Sequence, residues 1–581
     1  MFSVEEIVSQ HLPELSKKYP FLDKSPKLVK SINTVLRYLL HENEFVEFAK
    51  EYPTLKGVDF VEKVLEYFNF TYRISDADKE KIPDAGRVVI ISNHPIGSLD
   101  GLALLQLVAR IRPDVKIMAN QLLSKIEPLN NLLFPVDNMG ANTVRAQFES
   151  IFKHLDDEGA VIIFPAGEVS RMTFTGVKDQ TWNSGFLRIA NRSRAPIVPL
   201  HIKARNSLAF YGTSFFFKTL STVMLVGEMF KHEANNITIT VGSPIPHSSY
   251  GDSKLTSKAQ IKLFKKHLYR LPKGKDDLFK TEAAISHAEN RQYLKKEIEE
   301  CEKLGVTSDG KDIYLYKHTD SSSIMREIGR LREISFRAVG EGSGSKRDID
   351  IYDSTYYHLI LWDKEDLEIV GSYRFGDASE INAKQGLEGL YTNTLFNYDD
   401  SMLPFIERGL ELGRSFVQPK YWGRRSLDYL WFGIGAFLAK NPKYRYLYGP
   451  VSISATFPSI AKDMLVWYYS HYYPHHEQSA TAKRPYLLSK EGQEQIEEIF
   501  CKDDPKEDFK RLKNMLDNIG VAVPTLYKQY SDLCNDDGVK FLAFSVDPDF
   551  NNCLDGLVMV DMDRLKATKK KRYIDAHLAE D

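Results

Sequence analysis

The chain has 581 residues, too many for one ordinary hydrophobic core, so two large domains with helical additions are expected. Hydrophobic residues make up 43% and charged residues 27%, which excludes wholesale disorder; a formal charge of -2 excludes a uniformly basic nucleic-acid binder. Four scattered cysteines (Cys301, Cys501, Cys534, Cys553) form no Cys-x-x-Cys, so they suit a reducing compartment and supply neither a disulfide framework nor a zinc site.

The first residues, MFSVEEIVSQHLPEL, are acidic and amphipathic without an uninterrupted apolar core, so no signal peptide is expected. No stretch reaches the apolar length of a spanning helix; any membrane contact is at the surface. Residues 1–75 read as helices, with Leu28, Ile32, Val35, Leu36 and Leu39, then Val61, Val64, Leu65 and Phe68, at helical spacing. Over 76–252 strands and helices alternate: RVVIISN, GLALLQLVARI, VKIMAN, RAQFESIFKHLDDEG, AVIIFP, then strands in APIVPLHI and NITITVGSPI. This alternation predicts an α/β domain. The aromatic stretch Leu208 to Phe230, broken by Lys218 and Glu228, reads as an interfacial element admitting an acyl chain or as buried helix and strand.

Residues 253–310 are charged and helix-forming and read as a helical connector. The last part, 311–581, opens with strand DIYLYKH, helix SIMREIGRLREISFRAV and a glycine-bearing loop, GEGSG, expected to move over a site. YYHLILWD and LEIVGSYRFG follow as an antiparallel hairpin. ELGRSFVQP, helix SLDYLWFGIGAFLAK, strand YRYLYGPVSIS and an aromatic helix come next, and two strands in FLAFSVDPDFNNCLDGLVMVDM complete a second α/β domain.

The strand RVVIIS ends at NHPIGSLDG. His94 at a strand's exit with Asp100 at a helix start can act as a base oriented by a carboxylate, suited to taking a proton from an alcohol near neutral pH. An Asp there also suits a helix cap. No Gly-x-Ser-x-Gly accompanies the pair, which favours direct attack over an acyl-enzyme. FPAGEVSR (Phe164 to Arg171) and APIVPLH (Ala195 to His201) lie downstream. In order and spacing, these blocks resemble the glycerolipid acyltransferase family over roughly residues 80 to 250. The resemblance implies His94 and Asp100 as the catalytic pair, with Asn93, Pro165, Gly167, Glu168 and Arg171 in the substrate-binding loops. Five residues separate His94 from Asp100 where the family has four, and Ala166 stands where it has Glu. FPVDN lacks the Arg that meets a glycerol phosphate, which fits an acceptor without that phosphate.

The second half presents Arg332 with Phe336, Asp350 with Asp353, Arg374, and Glu411 with Arg414. In that order they resemble the acyl-homoserine-lactone synthases, which use a GNAT-type N-acyltransferase fold. The resemblance implies that Glu411, Arg414, Asp350 and Asp353 line a catalytic site where an amine attacks an acyl thioester. Arg332 and Arg374 would then meet phosphopantetheine, a carrier-protein surface or an amino-acid carboxylate. Gly423, Arg424 and Arg425 ahead of the helix starting near Ser426 form a loop suited to the donor's pyrophosphate. GRLREISFRAVGEG and YDSTYYHL, with VPTLYKQYSDL and FSVDPDF, make the second half similar to the ornithine-lipid N-acyltransferases, often labelled haemolysins.

Fusion of the two halves resembles the bifunctional ornithine-lipid synthases. The resemblance implies N-acylation of an amino acid by a 3-hydroxyacyl group in the C-terminal domain, then O-acylation of that hydroxyl in the N-terminal one. It implies acyl carrier protein or coenzyme A as thioester donor, ornithine or a similar amino acid and a lyso-aminolipid as substrates, and no permanently bound cofactor. A cytoplasmic protein lying on the inner face of the membrane is expected, without nucleic acid. Two alternatives stand beside it: one active domain only, given Ala166, or a peripheral lipid-binding protein without turnover. His471, His475 and His476 are read as an aromatic surface rather than metal ligands, so no metal site is expected. Lys566 to Arg572 reads as a lipid-headgroup contact or a solvated basic tail.

Overall fold

The structure, a computed structural model, describes residues 34, 37 and 41–578 apart from 98, 121–122, 125, 137–140, 174–175, 205–235, 319–321, 476 and 536. The chain divides into two compact units between His287 and Ala288.

Unit 1 is built on a seven-stranded sheet. Its strands are β1 (Thr71–Arg73), β2 (Val88–Ser92), β3 (Lys116–Asn120), β4 (Leu133–Val136), β5 (Ala160–Ile163), β8 (Ile197–Lys203) and β9 (Asn236–Val241); β6 (Arg171–Thr173) and β7 (Gly176–Lys178) form a separate hairpin. The order is β1-β9-β8-β2-β5-β3-β4, parallel except for β8 against β9. The VVII run of β2 is buried at every position because helices cover both faces. One core packs Val88 and Ile90 under helices Gly57–Tyr67 and Leu99–Ala109, and the other packs Val89 and Ile91 with helices Gly185–Ser193 and Ser257–Leu268. β2 is central, so its C-terminal end, where His94 follows, opens between the two cores.

Unit 2 is an eight-stranded sheet. Its strands are β10 (Glu302–Val306), β11 (Asp312–Lys317), β12 (Tyr357–Asp363), β13 (Glu368–Asp377), β15 (Gly409–Val417), β16 (Tyr446–Ile453), β18 (Val539–Asp547) and β19 (Cys553–Asp561), while β14 (Phe396–Tyr398) pairs with β17 (Ala480–Ala482). Neighbours run antiparallel except β15 and β16. Alternation along β12 sends Leu359 and Leu361 to the core under helix Ser426–Lys440, and Ile360 and Trp362 to the core under helix Ser323–Ala338. The expected β12–β13 hairpin is present; Asp363 tightens its turn by accepting from the amides of Glu365 (3.0 Å) and Asp366 (3.2 Å).

Hydrogen-bonded pairing of β15 with β16 ends at Glu411 and Tyr448. β15 then bulges, with Arg414 at φ 49°, and continues along β13, while β16 continues along β19. Gly449 permits the last close approach, since a Cβ there would strike the Leu412 carbonyl. Beyond this point the two strands flank an unpaired opening.

Seven strands escape the sequence reading: β1, β4, β6, β7, β10, β14 and β17 are short or carry charge. The stretch 253–310 is not one helical connector. Helix Ser257–Leu268 buries Phe264 and Leu268 in unit 1, helix Arg291–Glu299 buries Leu294 and Ile298 in unit 2, and Glu302–Val306 pairs as an edge strand with β11. Pairing and burial override the helical propensity of that segment. Leu28 to Leu39 and Leu208 to Phe230, both given structural readings above, fall at apolar positions outside the described residues. Among the described residues no helix is long and apolar enough to cross a membrane.

Candidate active sites

In unit 1 the loop after β2 folds back on the first turn of helix Leu99–Ala109. Asp100 is fully buried, and its carboxylate accepts from the amides of Ile96 (2.9 Å), Gly97 (3.0 Å) and Gly101 (2.9 Å). Gly97, at φ 107°, supplies the turn that aims these amides inward. His94 Nδ1 lies 3.2 Å from Asp100 Oδ2, and its ring stacks on Phe164 at a centroid distance of 4.1 Å. Burial, the largest single influence, disfavours imidazolium, but the charge and contact of Asp100 together with the Asp179 charge outweigh it and His94 is raised above its ordinary value. Burial likewise opposes ionisation of Asp100, yet His94 and the backbone donors hold it below the usual carboxylate range. The pair sets a carboxylate beside an imidazole whose ring leans on the Phe-Pro loop.

That loop is tied to the histidine. The Ser170 amide donates to the His94 carbonyl at 2.7 Å, and the Asn183 amide donates to the Pro165 carbonyl at 2.8 Å. Gly167 closes a turn onto the Phe164 carbonyl, and Arg171 pairs with Glu168 at 3.3 Å on a half-buried surface. Asn93 spends both ends of its amide on Ile202, donating at 2.9 Å and accepting at 2.8 Å; it clasps β2 to β8 directly before His94. Asp179, which the sequence reading missed, is buried behind the site and accepts from the His94 amide (3.3 Å), the Trp182 indole (2.8 Å) and the Ser170 hydroxyl. No spacing signal marks it, because it lies on a loop far along the chain.

In unit 2 the expected residues converge on the sheet face under helix Ser323–Ala338. Asp353 sits between two guanidinium groups, accepting from Arg332 at 2.8 Å and Arg374 at 2.9 Å. Burial opposes its ionisation, but the two arginines hold it well below the carboxylate range. Asp350 and Asp353 form a reciprocal capping box on the turn Ile351–Ser354, which explains their spacing. Arg374 also reaches Asp350, and Arg414 lies 3.3 Å from Asp348 and 3.6 Å from Asp350. Arg332 donates to Nδ1 of His358, so His358 must carry its proton on Nε2, where it meets the Asp353 carbonyl at 3.1 Å. Burial and then Arg332 push His358 down to about 3, keeping it neutral.

Glu411 is buried two strands away on the same face. One oxygen accepts from the Thr392 amide at 2.6 Å and the other from the Tyr356 hydroxyl, and burial raises its pKa above the usual range. Tyr391 stacks under both Arg374 (5.1 Å) and Arg414 (4.8 Å), and Phe550 lies under Arg414 at 4.7 Å. Phe336 packs edge-on against Phe550, behind Arg414 rather than in front of it. Nη2 of Arg374 is buried with no hydrogen-bond partner among the described residues, a donor left for an anionic group. At the far end of β15, Arg424 and Arg425 are exposed at the N-terminus of helix Ser426–Lys440, whose first turn has no side-chain cap.

The sequence matches the family described as "Acyltransferase" over residues 15–277 and the "Acetyltransferase (GNAT) domain" over 331–432. It is 30% identical over 302 residues to the glycine N(alpha)-acyltransferase of Bacteroides thetaiotaomicron, covering 50% of this chain and 89% of the relative. It is also 30% identical over 267 residues to the lyso-glycine lipid O-acyltransferase of the same organism, covering 44% of this chain and 92% of the relative. The chain belongs to the acyl-amino-acid lipid acyltransferases. The L-ornithine N(alpha)-acyltransferase of Agrobacterium fabrum is 31% identical over 132 residues, covering 22% of this chain and 44% of that one.

One expectation for this acyltransferase is corrected. Arg332 and Arg374 do not face a carrier-protein surface: their side chains are 0% and 1% exposed, because Asp353 and His358 hold them inside. Of the histidine group, His471 stacks on Trp467 and His475 meets Ser479, while His476 lies outside the described residues. In the basic run, Lys566, Lys569 and Arg572 pair with Asp532 and Asp428 of their own unit. Of the residues missed here, Asp348, Tyr356, His358 and Asp555 sit in or beside quoted motifs and Tyr391 lies between them, but none has a spacing rule of its own.

Proposed function

We propose that unit 2 joins a 3-hydroxyacyl group from an acyl thioester to an α-amino acid, and that unit 1 then esterifies the new hydroxyl with a second acyl chain. The observation that carries this reading is the presence of two chemically different sites. One is an imidazole base with its carboxylate. The other is a buried arginine–carboxylate array beside an opening between parallel strands. In unit 2, unpaired backbone groups of β15 and β16 would hold the amides of a pantetheine arm, as a strand edge holds an extended chain. Gly423, Arg424, Arg425 and Ser426 would meet its phosphate. The free Nη2 of Arg374, with Arg414, would take the amino-acid carboxylate, while Asp350 and Asp353 fix Arg374, Asp348 and Asp350 fix Arg414, and Glu411 holds Tyr356 and the Thr392 amide beside them. The attacking nitrogen forms the amide bond, the carbon–sulfur bond breaks and a thiol leaves.

In unit 1, His94 takes the proton from the lyso-lipid hydroxyl as oxygen attacks the second thioester, and Asp100 stabilises the imidazolium. Pro165, Gly167, Glu168 and Arg171 line the acceptor side, and Asn93 positions the histidine. The broad relative is named for glycine and the shorter match for ornithine, so both amino acids are arms of the test. The donor is an acyl carrier protein in this reading, with coenzyme A as the second arm, and the lipid product places the enzyme at a membrane surface.

The test is lipid mass spectrometry of a host lacking amino-acid lipids that expresses the full chain. Wild type gives the diacylated lipid, His94→Ala stops at the mono-acylated lyso species, and Glu411→Ala gives neither. Diacylated lipid from His94→Ala would refute the assignment of unit 1, and either product from Glu411→Ala that of unit 2.

A further inference from the structure

N-acylation needs a neutral amine, yet an amino acid arrives as an ammonium, so some group must take its proton. Glu411 is poorly placed for this, because both its oxygens are engaged, by Tyr356 and by the Thr392 amide. The register of the sheet shows another carboxylate. Glu411 pairs with Tyr448 across β15 and β16, and four residues further along β16 Ser452 pairs with Asp555 of β19. Side chains two apart on a strand share a face. Asp555 therefore lies on the same face as Glu411, on the opposite bank of the opening where the thioester would enter.

Asp555 is 2% exposed, and among the described residues no cation is in salt-bridge contact with it. Its Oδ1 accepts from the Ser452 hydroxyl at 2.6 Å, while Oδ2 meets the Cys553 thiol, a weak donor, at 3.8 Å. The second oxygen is thus a buried acceptor with spare capacity. Across the opening, Nη1 of Arg414 donates to Tyr391, whose hydroxyl donates to Asp547 at 3.4 Å, so this chain ends on the neighbouring Asp547. The titratable and charged neighbours that face Asp555 include Asp547 at the end of β18, Arg414 on β15, Glu341 after helix Ser323–Ala338, Tyr391, Tyr527 of helix Thr525–Ser531, and Cys553 on its own strand. An amino acid whose carboxylate lies on Arg414 and Arg374 would present its nitrogen on the Asp555 side.

We propose that Asp555, oriented by Ser452, is the proton acceptor for the amino-acid ammonium in unit 2. This rests on the N-acylation reading above. The ammonium gives one proton to Asp555, which passes it to water. The neutral nitrogen attacks the thioester carbonyl, the carbon–nitrogen bond forms and the carbon–sulfur bond breaks. A second proton from that nitrogen goes to the departing sulfur, so amino acid and thioester become amide, thiol and one released proton. Burial first, and then the Asp547 charge, push Asp555 up to about 7, the range in which a base works at cellular pH.

The experiment follows N-acylation of glycine and of ornithine by the purified full chain with acyl carrier protein and coenzyme A thioesters, across pH 5 to 10. Wild-type kcat rises through a limb near 7. Asp555→Asn lowers kcat at pH 7 by roughly 100-fold, loses that limb and recovers only where the free amine itself deprotonates. A group whose pKa rises on folding weakens the fold as pH climbs through that value, so the Asn variant melts no lower than wild type at pH 8. Ser452→Ala keeps the base but moves the limb upward, since the hydroxyl favours the charged form; this arm decides the matter if Asp555→Asn does not fold. A wild-type limb that neither variant moves overturns the proposal. A wild type that acylates no amino acid overturns the N-acylation reading instead.

Discussion

His94 and Asp100 show how one contact sets a pH profile. The imidazole stacks on Phe164 and would titrate low from burial alone, but the Asp100 charge 3.2 Å away raises it. A base works only when deprotonated, so O-acylation by unit 1 should rise with pH through a limb above the free-imidazole value of about 6.5. Asp100→Asn removes the charge that raises the limb, leaving burial, so the limb moves to lower pH. The rate itself falls by about 100-fold or more, because the ring loses its orientation. A pH–rate profile of lyso-lipid acylation checks both, and a limb that stays in place would separate His94 from the chemistry. The residues of this dyad were legible because a strand exit fixes their spacing. Asp179 was not, since its role comes from a loop folding back over the site, which no local pattern records.

At the scale of elements, Asp353 is where a turn, a helix and a strand are joined. It caps the turn Ile351–Ser354 through the Asp350 amide at 2.9 Å, and it binds Arg332 of helix Ser323–Ala338 and Arg374 of β13. Asp353→Asn leaves buried Arg332 without its carboxylate and Arg374 with Asp350 alone, and should cost about 3–5 kcal/mol. Arg332→Met should cost less, since Arg374 still satisfies the carboxylate. Denaturant unfolding followed by tyrosine and tryptophan fluorescence measures both, and equal losses would contradict this asymmetry. Because Asp353 is held well below its unfolded value, its contribution is full above the usual carboxylate range near 4 and fades as pH falls further. Elements with a clear period, such as helix Ser426–Lys440 and the β12–β13 hairpin, were legible from the sequence. β10 was not: its residues favour a helix, and only the partner strand β11, across the turn after it, makes it a strand.

The two-unit architecture was legible because the alternation of strands and helices stops near residue 250 and resumes with a hairpin pattern. The boundary was not, because helix Ser257–Leu268 looks like a charged linker until Phe264 is seen buried between Phe186 and Phe279. The division at His287 and Ala288 leaves units about as long as relatives that are each named for a single acyl transfer. Each unit has its own sheet and its own buried cores, and cores of this size fold without outside help. Residues 288–581 expressed alone should therefore convert amino acid and thioester to the N-acylated product at a rate within about a few-fold of the full chain, as expected for an independent domain. Residues 1–287 should acylate that product when it is supplied, and do nothing with the free amino acid, since among the described residues the imidazole site has no arginine array like that of unit 2 to hold a carboxylate. Mixing the halves should restore the diacylated lipid through free diffusion of the lyso intermediate. If mixed halves that each melt cooperatively still accumulate only lyso product, the two transfers depend on the covalent link, and the intermediate passes between the sites without leaving the enzyme.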